Sequence, residues 1–386
     1  MPDLDSSRPT PNSGNSPGPH HGYDPNQPRV PSGHSAGGQW TKTGGGAPAI
    51  TRREAVVDHS KQESWGSYVD GYRADGSRAE QRVFNRDGSR IVSEFKPPDD
   101  PGDWDERHTV VLPDGTKFAF ENSGNVQRIF DGEGNLASAT EWTDDGPRPL
   151  PTGELAFLGP AITAGANIAS RLGPAAAQAL NAAALSFFTW LSSRKDPNRT
   201  AVFAFNAKKY EKPETDGNKK RPVVFVGSLT RDEERKVCDK LPDVQKLTGA
   251  AVANVTRVGD YKGPADFGTK VHKEIADAIR KENDPNFKAE QSVIKTLLET
   301  GRKTSNSGNA QEVDPKMEAD YGELGSIRID AYENVPEKSA VCVYDPKTGW
   351  RGLSFPRMNE LAASAHRLFG HKPNYIFVVE VRPGQS

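Results

Sequence analysis

Bulky and polar residues alternate along Ser326–Tyr332, with Ile327, Ile329 and Ala331 on one face and Arg328 and Asp330 on the other. A period of two marks a strand with one buried face. A second strand-like run, Ala340–Tyr344, follows across the polar bend Glu333–Ser339 and leads into Asp345-Pro346-Lys347. Residues two apart on a strand share a face, so pairing of the two runs would gather the Asp330 and Asp345 carboxylates and the Lys347 ammonium on one patch. Apolar residues recur at helical spacing on either side of this pair. Phe267–Glu282 carries Val271, Ile275, Ala278 and Ile279 as a stripe, and Pro356–Phe369 carries Met358, Leu361, Ala362, Ala365 and Leu368 before Gly370 stops it. Phe287–Lys295 reads as a strand and Gly301–Ala319 as a polar excursion. Tyr375–Val381 is apolar on both faces except at its ends, as in a strand covered on both sides. The order over residues 263–386 is αβββαβ, which predicts a mixed α/β domain.

The earlier chain divides by pattern into four stretches. Residues 1–50 are rich in Pro, Gly, Ser and Asn and cannot bury enough apolar surface to order themselves. Within them, QPRVPSGHSAGGQW (27–40) resembles a short tag near the start of phage-related and toxin-like bacterial proteins, too short to fix fold or chemistry. Residues 51–148 predict a β-hairpin meander. Its strands are Glu80–Phe84, Arg90–Phe95, Thr109–Leu112, Lys117–Glu121, Val126–Phe130 and Leu136–Trp142. Asp75-Gly76, Asp87-Gly88, Asp114-Gly115 and Asp131-Gly132 supply the turns. An ordinary β-domain is the plainer reading, and a delivery or packaging module resembling the hairpin repeats of large secreted toxins is the alternative. Residues 149–200 hold an Ala- and Gly-rich apolar stretch, Leu155–Leu191, broken at Arg171, Gly173 and Pro174. A soluble helical pair is favoured over a membrane hairpin, because Ala is weakly hydrophobic and Ala175–Leu191 is at the short limit for a span. Residues 201–262 form a connecting α/β segment, with strands Ala201–Phe205 and Pro222–Gly227 around the basic insert Lys208–Arg221. Thr230-Arg-Asp-Glu233 fits a capping box opening a helix toward Leu241.

Composition narrows this picture. The chain has 386 residues, with 30 Pro and 37 Gly, which suits several modest domains joined by flexible chain. The net charge of -2 gives no global attraction to nucleic acid, so any such binding must come from a local patch. Cys238 and Cys342 are the two cysteines, too few for a disulfide framework or a cysteine-rich zinc site. The segment MPDLDSSRPTPNSGNSPGPH has no apolar core and does not read as a signal peptide.

Chemistry concentrates at the two acidic positions. Neighbouring carboxylates repel and favour neutralisation by protons or a metal, and their hard oxygens suit Mg²⁺ or Mn²⁺. A lysine beside them can orient a water and offset charge on a phosphoryl group. Asp330 and Asp-x-Lys at 345–347, on consecutive strands after the helix motif GTKVH (268–272), resemble the PD-(D/E)XK superfamily, the restriction-endonuclease-like nucleases. Together with GSIRID (325–330), VYDPKTG (343–349) and IFVVEVRP (376–383), these motifs are most similar to the C-terminal nuclease domains of bacterial polymorphic toxins. The resemblance covers the last third of the chain.

That resemblance implies a restriction-endonuclease-like core and metal-dependent hydrolysis of phosphodiester bonds, with DNA favoured over RNA. It implies Asp330, Asp345 and Lys347 as catalytic residues, and Asp330 and Asp345 as ligands of Mg²⁺ or Mn²⁺. His272 matches a histidine that helps hold the metal in the helicase-associated exonuclease branch, and a hydrogen-bonded core histidine is the competing reading. Glu290 is a further candidate ligand, and Glu274 reads as solvent-facing. Pro346 donates no ladder bond, so its strand should lie at an edge or end there. The resemblance also implies a cognate immunity protein, and export to act in a target-cell cytoplasm. Two alternatives remain: a catalytically silent nuclease-like fold for nucleic-acid binding or phage-related assembly, and a structural or membrane-active delivery protein.

Overall fold

The computed structural model describes residues 50–97, 100, 103–150, 174–194, 196, 198–210, 223–294, 326–349 and 351–383. The tail before residue 50, the helical candidate over 155–173, most of the basic insert and the excursion at 301–319 lie outside the described residues. Hairpin chemistry builds the first half. Nine strands run in simple chain order, each antiparallel to the next: β1 (Arg52–Val57), β2 (Trp65–Tyr72), β3 (Arg78–Asn85), β4 (Arg90–Phe95), β5 (Glu106–Val111), β6 (Lys117–Ser123), β7 (Val126–Phe130), β8 (Leu136–Thr143) and β9 (Gly146–Pro149). Three turns share one device. Gly76, Gly88 and Gly115 have φ of 83°, 87° and 86°, and the preceding Asp accepts from the backbone N–H of Ser77, Ser89 and Thr116. The fourth turn departs from expectation. Its left-handed residue is Gly134, not Gly132, and Asp131 instead accepts from the N–H groups of Glu133 and Asn135.

The helix α1 (Pro174–Ser193) packs between this sheet and a second one. The second half of the Ala-rich stretch is thus helical, as expected, and none of the described helices is long and apolar enough to cross a membrane. Ser186 bonds Asn85 and Ser89 at 3.0 Å, and Trp190 donates to Gln81 at 3.1 Å, tying the helix to the meander.

The second sheet has the order β11-β10-β15-β14-β13-β12 among the described residues. Its strands are β10 (Arg199–Asn206), β11 (Val223–Thr230), β12 (Phe287–Ile294), β13 (Ser326–Val335), β14 (Ala340–Pro346) and β15 (Tyr375–Val381). All neighbours are antiparallel except β14 and β15, which are parallel because α5 (Phe355–Phe369) crosses over between them. One face packs on α1 and α5 through Phe203, Ile329, Val343, Ile376 and Val378. The other packs on α2 (Arg231–Val237), α3 (Leu241–Val258) and α4 (Pro264–Glu282) through Val202, Ala331, Tyr344, Phe377 and Val379. Among the described residues the expected order αβββαβ is present as α4-β12-β13-β14-α5-β15. The segment 201–262 does not stand apart from it, because β10 pairs directly with β15 and the boundary drawn at 263 runs through one sheet. Residues 50–386 form one contact unit.

Two local expectations need correcting. Thr230 and Glu233 do form a reciprocal capping box, but α2 ends at Val237 and a separate helix, α3, starts at Leu241. The break holds Cys238, which is disulfide-bonded to Cys342 on β14. Two cysteines make no framework, yet this pair cross-links segments 104 residues apart.

Candidate functional site

The site is a fork in the second sheet. The β13–β14 ladder runs from Val335↔Ala340 to Ala331↔Tyr344 and stops there. One more step of the same register would set Asp330 opposite Asp345. Instead β13 continues beside β12 alone, while Asp345 and Pro346 pair with Glu380 and Val381 of β15. β14 ends at Pro346, as that residue's missing N–H suggested, whereas its ladder with β13 stops two residues earlier, at Tyr344. The alternation along β13 also breaks at this point. Ile327 and Ile329 belong to the core under α5, whereas Ala331 and Val335 belong to the core under α4. Ala331 therefore does not share a face with the two isoleucines, as simple alternation had implied. The phase change at Asp330 lets groups from both helical layers reach one spot.

From one side comes His272 on α4. Its Nδ1 lies 3.3 Å from Asp330 Oδ2. From the other comes Arg357 in the first turn of α5. Its Nε donates to Asp345 Oδ1 at 3.1 Å, and a terminal nitrogen lies 3.7 Å from Asp330 Oδ2. The same nitrogen donates to the carbonyl of Arg328 at 2.8 Å, a backbone group on the stretch of β13 that no longer pairs with β14. Lys347 extends the β14–β15 ladder through its N–H to Val381 O at 2.8 Å, and its ammonium forms an ion pair with Asp345 Oδ2. That oxygen is shielded from solvent and accepts no hydrogen bond among the described residues. Asp345 is fully buried, Asp330 nearly so, and Lys347 and Arg357 are partly open to solvent. Gly268, which starts the GTKVH motif, borders Thr348 in the loop just after Lys347.

Electrostatics follows from this packing. Burial disfavours a charged imidazole at His272, but the hydrogen bond and charge of Asp330, with Asp345 behind it, outweigh that and raise its pKa above the ordinary 6.5. Burial likewise pushes Asp330 up, while the His272 hydrogen bond and charge, then Arg357 and Lys347, more than reverse it and hold the carboxyl below its ordinary value. Each of the two favours the charged form of the other.

The candidate residues therefore do not all meet. Asp330, Asp345, Lys347 and His272 converge. Glu290 has a φ of 54° and sits between the pairs Ala289↔Ala331 and Gln291↔Ile329, so its register position is opposite Asp330. Its carboxylate is held by Arg280 and by Arg328 at 3.1 Å rather than by the acidic pair. Glu274 accepts from Asn254 at 2.7 Å, a tie between α3 and α4. Among the described residues no group of three or more His, Cys, Asp or Glu side chains is arranged to hold a metal ion. Arg357 is the residue the sequence reading passed over. A signal for it existed. It stands in the first turn of α5, which has no acidic residue, and an arginine near a helix N-terminus opposes the dipole unless an anion lies close by.

A cavity of about 720 Å³ lies elsewhere, lined by Trp65, Tyr68, Phe187 and Trp190 among others; neither Asp330 nor Asp345 lines it. The arginines around it pair with carboxylates, Arg78 with Asp70 at 3.7 Å and Arg199 with Glu106 at 3.8 Å. The fork is the better site, since among the described residues it is there that two acids, a lysine and an imidazole gather on a broken ladder.

No family model, no curated protein and no solved structure matches this chain.

Proposed function

We propose that the chain is a metal-dependent nuclease with a restriction-endonuclease-like core, whose active site is Asp330, Asp345 and Lys347. The observation that carries this reading is the fork itself, which gathers those three side chains on adjacent strands within the order αβββαβ. Two neighbouring carboxylates are donors that suit a small hard cation, although Asp345 Oδ2 is paired with the Lys347 ammonium. Asp330 and Asp345 would hold Mg²⁺ or Mn²⁺ with His272 beside them. When bound, the ion would supply Lewis-acid stabilisation of the phosphoryl and leaving oxygens. Glu290, engaged by two arginines, is left as an outer neighbour of the site.

The chain's own groups account for the rest. The Lys347 ammonium, anchored at the strand end, orients the attacking water and offsets charge on the phosphoryl oxygens. His272 fixes the Asp330 carboxylate in its ionised form, as the opposed pKa shifts of the pair describe. The motif resemblance extends the proposal to DNA as substrate, to a bacterial polymorphic toxin acting in a target-cell cytoplasm, and to a cognate immunity protein as partner.

Plasmid DNA incubated with the full chain and Mg²⁺ is expected to be cut. Asp345→Ala and Lys347→Ala should each lower the rate by about 100-fold or more. Equal cutting by both variants would remove these residues from the mechanism. One observation favours a second reading, a nuclease-like fold that binds nucleic acid without cutting it. Both carboxylates already face permanent cations, Arg357 and Lys347. That reading expects DNA retention in gel shifts, and no cleavage with Mg²⁺, Mn²⁺ or Ca²⁺.

A further inference from the structure

Two acids gathered at a sheet fork need counter-charge whether or not a metal is present. Here the chain supplies it. The Arg357 guanidinium is planar and permanently charged, and it donates from several positions at once. It spends those donors on Asp345 Oδ1 at 3.1 Å and on the carbonyl of Arg328 at 2.8 Å, with Asp330 Oδ2 3.7 Å away. A divalent cation held by Asp330 and Asp345 would compete with Arg357 for these carboxylates. With Lys347 on the remaining Asp345 oxygen, two negative charges already face two positive ones. A dication added to this arrangement would find the acids' charge already neutralised, so both acids can hold it only if a resident cation moves away.

Lys347 and Arg357 are about equally open to solvent, with 25% and 26% of the side chain exposed, so either has a route outward. Arg357, reaching the fork from the first turn of α5, is the one that lies against both acids, and a cation held by both would have to take its place. Its position is also locally unfavourable. The α5 N-terminus repels a cation, and the two carboxylates compensate for that only while they remain unclaimed.

We propose that Arg357 is a resident counter-ion. It occupies the place between Asp330 and Asp345 in the resting protein, is displaced when a divalent cation binds there, and then pairs with the non-bridging oxygens of a phosphodiester drawn to the site. The inference rests on the nuclease reading for its second half, the delivery to phosphate. Its first half, competition between an arginine and a metal, is independent of cleavage. Arginine suits the later role because its fork geometry matches phosphate in two-pronged fashion.

Mn²⁺ binding to the full chain, followed by calorimetry and by the electron paramagnetic resonance signal of free Mn²⁺, tests the first half. Arg357→Gln should bind Mn²⁺ at least about tenfold more tightly than the wild type, since removing a like charge from the site removes repulsion. The gain should vanish in the Asp345→Asn, Arg357→Gln double variant. A residue with a merely structural role would leave the affinity unchanged or lower it, and either result in a wild type that binds Mn²⁺ and cuts DNA overturns the proposal while the nuclease reading stands. Absence of Asp345-dependent Mn²⁺ binding in both proteins overturns the two together. Tighter Mn²⁺ binding by Arg357→Gln in a protein that cuts no DNA supports the displacement and sinks the nuclease reading alone. If Arg357→Gln folds too poorly to titrate, Arg357→Lys replaces it, with an affinity expected between the two. In the active protein, Arg357→Gln should also raise KM for DNA at saturating Mn²⁺, the phosphate contact being lost.

Discussion

At the scale of single residues, the His272–Asp330 pair makes the site's charge depend on pH. His272 has its pKa raised in the folded chain, so the stabilisation it gives is fully present below its unfolded value near 6.5 and is lost as pH rises through the folded value. Asp330 has its pKa lowered, so its contribution is present above the ordinary 3.8 and disappears as pH falls through the folded value. The pair is worth most between those limits, where both members are ionised, with Arg357, Asp345 and Lys347 as the nearest other charges. His272→Asn should therefore destabilise the chain by on the order of 1.5–3 kcal/mol in mildly acidic solution, the range of a hydrogen bond to a charged group. The difference from wild type should shrink as pH is raised above neutrality. Urea denaturation at a series of pH values reads this directly, and a difference that stays flat from pH 5 to pH 9 would contradict the ion pair.

At the scale of elements, β14 is where most constraints meet. It carries Cys342, Tyr344 and Asp345, with Lys347 just past its end, and three other segments hold it in place. The disulfide to Cys238 closes a loop of 104 residues. In the chain-entropy account, a cross-link over that distance stabilises by about 4–5 kcal/mol. Cys342→Ser, or reduction under mild denaturation, should lower the melting temperature accordingly, with the Cys238→Ser variant giving the same shift. Gly352, in the loop from β14 to α5, has a second kind of constraint. A Cβ there would lie 2.7 Å from the backbone of Ser192 at the end of α1. Gly352→Ala should move the loop that positions Arg357 and lower thermal stability, measurable by calorimetry. The sequence announced β4, β7, α5 and β15 nearly to the residue because each shows a clear burial pattern, by alternation, helical stripe or apolarity throughout. It hid β2, which holds two glycines, and β9, a short Gly-Pro-Arg-Pro edge. It also hid α3, whose buried stripe includes Gln245 and Thr248. The disulfide was illegible because pairing across 104 residues is a property of tertiary packing. The change of face at Asp330 was illegible because Ala331 reads in phase with Ile327 and Ile329 whichever face it takes. So the acids and the lysine could be named in advance, while the fork that brings them together and the arginine that fills it could not.

At the scale of the whole molecule, the candidate site depends on chain far outside its own third. Glu380 on β15 accepts from the N–H of Leu353 at 2.7 Å and pairs with Arg382, and Ser192 of α1 bonds the same carboxylate. Burial raises the pKa of that carboxyl despite these partners, which marks how dry the junction is. Farther out, the Gln127 amide of β7 both donates to and accepts from the backbone of Val226, at 3.1 Å each way, and so meets the polar groups of the edge strand β11. Trp142 of β8 enters the core beside Phe225 and Phe377, with ring centroids 4.7 and 6.2 Å away. The meander therefore serves as part of the second sheet's packing, whatever else it does. Residues 263–386 expressed alone would lose β10 from beside β15, Cys238 from Cys342, and α1 from under the sheet. That fragment is expected to show no cooperative thermal transition and to bind a hydrophobic dye, whereas 50–386 should melt in a single step. In the longer chain, Trp142→Ala should cost about 3–5 kcal/mol, the toll of emptying a buried aromatic site, although it lies in a different sheet from every acid of the fork. A fragment 263–386 that melts sharply and cuts DNA at the full rate would show instead that the last third is self-sufficient and that the shared sheet is dispensable.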